Sequence, residues 1–220
     1  MICFQNVSKI YSLGGARKTI AKDISLEIPS GACVGLLGRN GAGKSTLMKM
    51  IAGTLAPTSG RIHHSGSVSW PVGFAGSFHP ELSGAQNTRF LARVYGCDTE
   101  ELVEFVAEFA ELDDHFFLPF RTYSSGMRSR LAFGVSMGVR FDTYLIDEVT
   151  SVGDASFQER SREMLKARTR NAGAIVVSHA MGMIRQLCTS GAVLENGKLT
   201  YFDDINDAIA AHESNLQSIR

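Results

Sequence analysis

The sequence lacks any surplus of charge, since 22 Lys and Arg offset 22 Asp and Glu across 220 residues. With no overall field to attract polyanions, nucleic acid and anionic membrane surfaces are not expected as direct partners. Cysteine is sparse. Cys3, Cys33, Cys97 and Cys188 are scattered without metal-ligand spacing, so reduced, mostly buried thiols are expected. No apolar run approaches the ~20 residues that a membrane helix needs. Met1–Ser8 is half polar and lacks the apolar segment of a signal peptide. Any membrane role is therefore expected to come through a partner. Internal repeats and low-complexity segments are also missing.

What is present is alternation between strand and helix patterns. Ile24, Leu26 and Ile28 alternate with polar residues, and the first third reads as short strands. Ala32–Leu37 is a continuous apolar run, as in a buried central strand. A short helix follows over Thr46–Gly53, then a turn at Pro57–Gly60 and one or two strands in Arg61–Val72. Gln86–Tyr95 and Thr99–Leu112 read as helices, the second with Leu102, Val103, Val106, Phe109 and Ala110 at helical spacing. Ser124 is placed to cap a third helix running to about Val139. Strands at Thr143–Ile146 and Ala174–Val177 alternate with helices at Ser156–Thr169 and Met181–Leu187. Asn196-Gly197 joins Val193–Glu195 to Lys198–Phe202 as a hairpin, and Ile205–Leu216 closes the chain as an amphipathic helix. The expected architecture is a mainly parallel, three-layer α/β core, residues 1–81 and 141–220, with a helical lobe of about 82–140 inserted into it.

Gly38-Arg39-Asn40-Gly41-Ala42-Gly43-Lys44-Ser45, followed by Thr46, matches G-x-x-x-x-G-K-[ST] in full. Its glycines let successive backbone N–H groups approach a phosphate, and the following helix adds its positive end. Lys44 supplies a compact charge for the β and γ oxygens, and the Ser45 hydroxyl a ligand for Mg²⁺. The strand before and the helix after are the context this pattern requires. Thr143–Ile146 runs directly into Asp147-Glu148. Two acids at the end of a buried strand are costly unless a cation or hydrogen bonds compensate them. Asp147 is placed to hold the Mg²⁺ shell, and Glu148 to orient and deprotonate an attacking water. ATP and Mg²⁺ are the ligands these two motifs imply.

Three further segments narrow the field. Tyr123-Ser124-Ser125-Gly126-Met127 resembles the Leu-Ser-Gly-Gly-Gln signature of ATP-binding cassette (ABC) ATPases. Ser151-Val152-Gly153-Asp154 resembles that family's D-loop, and His179, after the Ala174–Ser178 stretch, its switch histidine. Tyr11 sits where the family places an aromatic on adenine. The resemblance runs from Phe4 to about Phe202. It implies a single ABC ATPase domain over residues 1–220: a phosphate-loop core with an N-terminal antiparallel β-subdomain and an inserted α-helical subdomain. It also implies a head-to-tail homodimer with two ATP molecules between the cassettes. In that arrangement Ser124, Ser125, Gly126 and Asp154 contact the ATP of the other subunit, and His179 contacts its own γ-phosphate. The sequence departs from the family at Ser125 and Met127, at Gly153, and at the Q-loop. There the glutamine is absent from Phe78-His79-Pro80-Glu81-Leu82, and His79 is the candidate for its place near the metal.

The run Ser69-Trp70-Pro71, Gly73, Gly76, Phe78, then Leu82-Ser83-Gly84 to Asn87 and Phe90, is similar to the ATPase subunits of capsular polysaccharide exporters. O-antigen and teichoic acid exporters are the alternative, with importer cassettes and soluble ABC ATPases behind them. The chain stops at Arg220, with no room for the C-terminal glycan-binding domain of several O-antigen exporters, which favours the capsule type. The resemblance implies a peripheral subunit at the cytoplasmic face of a bacterial inner membrane, touching the membrane only through an integral permease. Phe78 and Phe90 are read either as lining a groove for that permease or as core.

Overall fold

A computed structural model of the chain describes residues 1–147, 154–178 and 180–217. In chain order the elements are β1 (Ile2–Leu13), β2 (Ala16–Ile28), β3 (Cys33–Leu37), α1 (Lys44–Ile51), β4 (Ser59–His64), β5 (Val68–Pro71), α2 (Gly84–Tyr95) and α3 (Thr99–Ala110). They continue with α4 (Ser125–Gly138), β6 (Thr143–Asp147), α5 (Ala155–Thr169), β7 (Gly173–Val177), α6 (Met181–Leu187), β8 (Ser190–Glu195), β9 (Lys198–Phe202) and α7 (Ile205–Gln217). Two compact units result: residues 1–71, 141–148 and 169–220, and residues 72–140 with 149–168.

The first unit holds two sheets. A six-stranded sheet, ordered β5-β6-β7-β3-β8-β9, is parallel except for the β8–β9 hairpin. A three-stranded antiparallel sheet, β2-β1-β4, lies beside it in sequence and in the core. Every residue of β3 and β7 is buried, because both faces of the large sheet are covered, and this is why those strands read as unbroken apolar runs. Val34 and Leu36 point to one face, where they join Leu47, Met48, Met50 and Ile51 of α1 and Phe4, Val7, Ile24 and Ile28 of the small sheet. Gly35 points to the other, where a Cβ would press on Ile205 of α7 and Ile184 of α6. The layers are therefore small sheet with α1, large sheet, and α6 with α7.

The β1–β2 pair departs from the expected short strands. It is one hairpin of 12 and 13 residues, folded at Gly14-Gly15, whose φ of 56° and 83° suit a two-residue turn. Bulges bend these strands rather than end them. Asn6 and Asp23 both sit at φ 49°, a region their short polar side chains tolerate, and the Asn6 amide donates to Asp23 Oδ1 at 3.1 Å. The Asn196-Gly197 turn forms as its sequence predicts, with φ of 50° and 80°. Trp70, half-buried, packs edge-on against Phe141 at 5.3 Å.

The second unit is helical. Ser83 and Gln86 form a reciprocal capping box at the start of α2, Asp98 caps α3, and the Ser124 hydroxyl accepts the Met127 N–H at the start of α4, as expected. Phe109 stacks on Phe105 and Phe133 and meets Phe157 of α5 edge-on at 5.5 Å, which draws α5 into this unit. Arg130 and Arg160 lie over these rings and share Glu111. Asp154 caps α5. Its Oδ1 accepts the Ser156 hydroxyl at 2.6 Å and the Phe157 N–H at 2.9 Å, and its Oδ2 accepts Arg130 at 2.6 Å.

Those donors hold the Asp154 carboxyl at about 2, against an ordinary 3.8, the Ser156 hydroxyl contributing most. A depressed folded value adds stability that is full above the ordinary value and lost as pH falls toward the folded one. Asp154→Ala is therefore expected to lower stability by a constant amount near neutral pH. The deficit should close between pH 3.8 and about 2, as read by urea denaturation of both proteins across that range.

Candidate functional site

The centre of the first unit's site is the turn from β3 into α1. Gly38 has φ 156°, and a Cβ there would stand 2.6 Å from the Leu194 carbonyl oxygen of β8. Gly43 has φ 109°, and a Cβ there would collide with Ile20 of β2. The loop thus runs between two strands that approach it too closely for a side chain at positions 38 and 43. α1 begins at Lys44 with no acidic residue in its first turn, and its first intrahelical bond is Leu47 N–H to Gly43 O. The N–H groups of Lys44, Ser45 and Thr46 have no helical acceptor, which leaves the positive end of the helix open to an anion.

Lys44 folds along the loop. Its ammonium donates to the carbonyls of Gly38 at 2.6 Å and Arg39 at 3.1 Å, which fixes the charge beside the turn. Burial, followed by the Lys44 charge, lowers the basicity of the buried His212 imidazole on α7.

A cavity of about 760 Å³ opens over the turn. Its lining brings together Asn40, Gly41, Gly43, Lys44, Ser45 and Thr46 of the loop, Asp147 at the end of β6, and Tyr11 of β1. Three residues not anticipated from the sequence also line it: Lys18 and Ile20 of β2, and Val177 at the end of β7. The Gly14-Gly15 turn was the signal that could have placed Lys18, since it sets that residue directly across from Tyr11. Tyr11 is 43% exposed and does not pack in the core. The Lys9 ammonium, anchored on Ala56 O at 2.8 Å, covers one face of its ring at 5.2 Å from the centroid. Ser45 and Asp147 place one hydroxyl and one carboxylate in the same cavity. That hard oxygen set suits Mg²⁺, which takes few protein ligands and completes its shell with water and phosphate oxygens. Among the described residues no cluster of three His, Cys, Asp or Glu could hold a metal by itself.

Glu148, His179 and the segment Ser151-Val152-Gly153 lie outside the described residues. In the second unit, Ser124 caps α4 with Ser125 and Gly126 in its first turn. Among the described residues, a Cβ on Gly126 would meet nothing nearer than Ser124 Oγ at 4.0 Å, so packing among them does not require a glycine there. Both Asp154 carboxylate oxygens are engaged as described above.

His79 is fixed by its neighbours. Its N–H donates to Asn87 Oδ1 at 2.8 Å, and its Nδ1 accepts the Glu81 N–H at 3.2 Å. A neutral ring bonded in this way carries its proton on Nε2 and offers a donor outward, not a metal-binding lone pair. Phe78 is buried against Phe120 at 5.1 Å, whereas Phe90 is 54% exposed. Of the two, only Phe90 is available to a groove. All four cysteines are free thiols, Cys33 and Cys188 buried with sulfurs 3.8 Å apart.

A phosphate loop at the mouth of a parallel sheet, an acid at the end of the strand next but one and an antiparallel β-subdomain bearing an aromatic define an ATP-binding cassette, and the relatives agree. The family model described as ABC transporter matches residues 21–151, and the chain belongs to that family. It is an ABC ATPase. It is 45% identical over 212 residues to the polysialic acid transport ATP-binding protein KpsT of Escherichia coli, covering 95% of each chain. To the capsule polysaccharide export ATP-binding protein CtrD of Neisseria meningitidis serogroup B it is 41% identical over 214 residues, covering 97% of this chain and 99% of the relative. A dimeric post-hydrolysis structure of the ATP-binding cassette MJ0796 shares the fold, with a TM-score of 0.78 at 20% identity over 93% of this chain and 99% of the other.

The wedge of Ile20 against Gly43 is directly testable. Gly43→Ala should destabilise the protein by about 1–3 kcal/mol, from a strained φ and a steric clash. In a double-mutant cycle, Ile20→Ala should recover part of that loss by opening space for the new methyl group. Thermal denaturation of the four proteins measures the coupling, and strict additivity would refute the contact.

Proposed function

We propose that the chain is the ATP-hydrolysing subunit of a capsular polysaccharide exporter. The observation that carries this reading is near-full-length identity of 41–45% to ATP-binding proteins named for polysialic acid transport and capsule polysaccharide export. The cavity over Gly38–Ser45 supports it, because it sets a backbone anion cradle, an ammonium, a hydroxyl, a carboxylate and an exposed aromatic ring around one space.

In this reading the adenine stacks on the face of Tyr11 that Lys9 leaves open. The amides of residues 38–46 and the Lys44 ammonium hold the phosphates. Ser45 and Asp147 would hold Mg²⁺, which when bound offsets the charge of the β and γ oxygens. Glu148, next in sequence to Asp147, orients a water and takes its proton as the oxygen attacks the γ-phosphorus. The bond to the ADP oxygen breaks, and ADP and phosphate are the products. His179 contacts the γ-phosphate and Glu148.

Two subunits close head to tail over two ATP molecules, with Ser124, Ser125 and Gly126 of each facing the γ-phosphate held by the other. The open space around Gly126 among the described residues supports this, since a small residue there leaves room for a ligand from outside. Asp154 contributes to that interface through the backbone it caps, because its carboxylate is already occupied. The domain then acts as one cassette whose helical part, Phe90 among its exposed residues, meets an integral permease. No described helix is long and apolar enough to cross a membrane. The permease therefore supplies attachment at the cytoplasmic face of a bacterial inner membrane, and lipid-linked polysaccharide is the cargo.

Lys44→Ala is expected to abolish ATP hydrolysis by the purified protein, and normal turnover in that variant would remove the site assignment. Glu148→Gln should retain ATP binding while the rate drops about 10²–10⁴-fold. Gel filtration of this variant with saturating ATP should show a dimer, and a monomer there would count against the two-subunit sandwich.

A further inference from the structure

Lys18 stands in the cavity over the phosphate loop with no role assigned by the motifs. It is the direct cross-strand partner of Tyr11 in the β1–β2 hairpin, so the two side chains leave the same face of the sheet. Ile20, which lines the same cavity, is buried and stands against Gly43, so that this stretch of β2 is held beside the phosphate loop. The backbone of Lys18 is thereby held beside the loop, and its exposed side chain carries the ammonium to 4.0 Å from where a Cβ of Gly41 would stand, at the middle of the loop. Among the described residues no carboxylate lies within ion-pair distance of it and no hydrogen bond occupies it. Lys44, by contrast, is already bonded to two loop carbonyls. The nearby Lys9 serves the ring of Tyr11 and the carbonyl of Ala56. Within the cavity, Lys18 is thus a second ammonium, delivered by the antiparallel sheet.

We propose that Lys18 is a phosphate-binding residue, donating to the polyphosphate chain of the bound nucleotide between the aromatic end of the site at Tyr11 and the loop at Gly41. The inference rests on the nucleotide reading above and deepens it. The antiparallel sheet then does more than present a stacking surface: it closes the site electrostatically, so that the phosphates are held between one cation from that sheet and one from the start of α1. A chain with net charge near zero gains local selectivity for polyanions in this way without an overall basic surface.

The test separates phosphate contact from base contact. Calorimetry with Mg·ATP and with magnesium tripolyphosphate is carried out on the full-length wild type, Lys18→Met, Lys18→Arg and Tyr11→Ala. Lys18→Met should weaken both ligands by a similar factor, about tenfold for loss of one charge-assisted contact. Lys18→Arg should restore most of the affinity for both. Tyr11→Ala should weaken ATP and leave tripolyphosphate unchanged. If wild type binds both ligands and Lys18→Met binds tripolyphosphate as wild type does, the inference is overturned while the nucleotide reading stands. A loss confined to ATP in Lys18→Met would also overturn it, by assigning Lys18 to the base or ribose. If wild type binds neither ligand, the nucleotide reading fails and this inference fails with it.

Discussion

Steric confinement of one loop governs the rest of the first unit. The backbone between β3 and α1 passes so close to the Leu194 carbonyl on one side and to Ile20 on the other that only glycine fits at 38 and 43. That confinement turns the backbone amides and the start of α1 toward one space and holds Lys44 against the loop's own carbonyls. It also explains why both sheets are needed. β8 belongs to the parallel core and β2 to the antiparallel sheet, and the loop takes its shape from both. A phosphate cradle is usually described by the residues in it; here its geometry depends as much on a carbonyl and an isoleucine outside it.

Much of this was legible in the sequence, for physical reasons that differ by element. The parallel core could be read because its strands are covered on both faces and so appear as unbroken apolar runs. The Asn196-Gly197 hairpin and the Ser124 cap were legible because single residues carry strong local preferences there. The long β1–β2 hairpin was harder, since its bulges at Asn6 and Asp23 shift the alternation that would have marked two extended strands. Lys18 was hidden for the same reason. A lysine in an irregular strand looks like solvent-facing charge until the pairing with Tyr11 is known. Phe78 and Phe90 were indistinguishable as isolated aromatics. Only packing against Phe120 tells the buried one from the exposed one.

Asp154 and His79 show how motif residues can be committed to local structure. Asp154 has both oxygens engaged by Ser156, Phe157 and Arg130, so its carboxylate sets the start of α5. His79 stands where a glutamine would offer a carbonyl oxygen or an amide by choice. With Nδ1 occupied by the Glu81 N–H, the imidazole has a single polarity to present.

The residue that fixes His79 is Asn87, 1% exposed in α2. Its carboxamide accepts the His79 N–H and donates toward the carbonyls of His79, Leu82 and Ser83 at 3.0–3.1 Å. Such a site has no isosteric substitute. Hydrolysis of the amide to a carboxylate, the slow chemical ageing to which asparagine is prone, would set a buried negative charge against three carbonyl oxygens. Burial inside a capped helix turn shields the side chain from that fate, so the lifetime of the loop is tied to the persistence of the helix that carries its anchor.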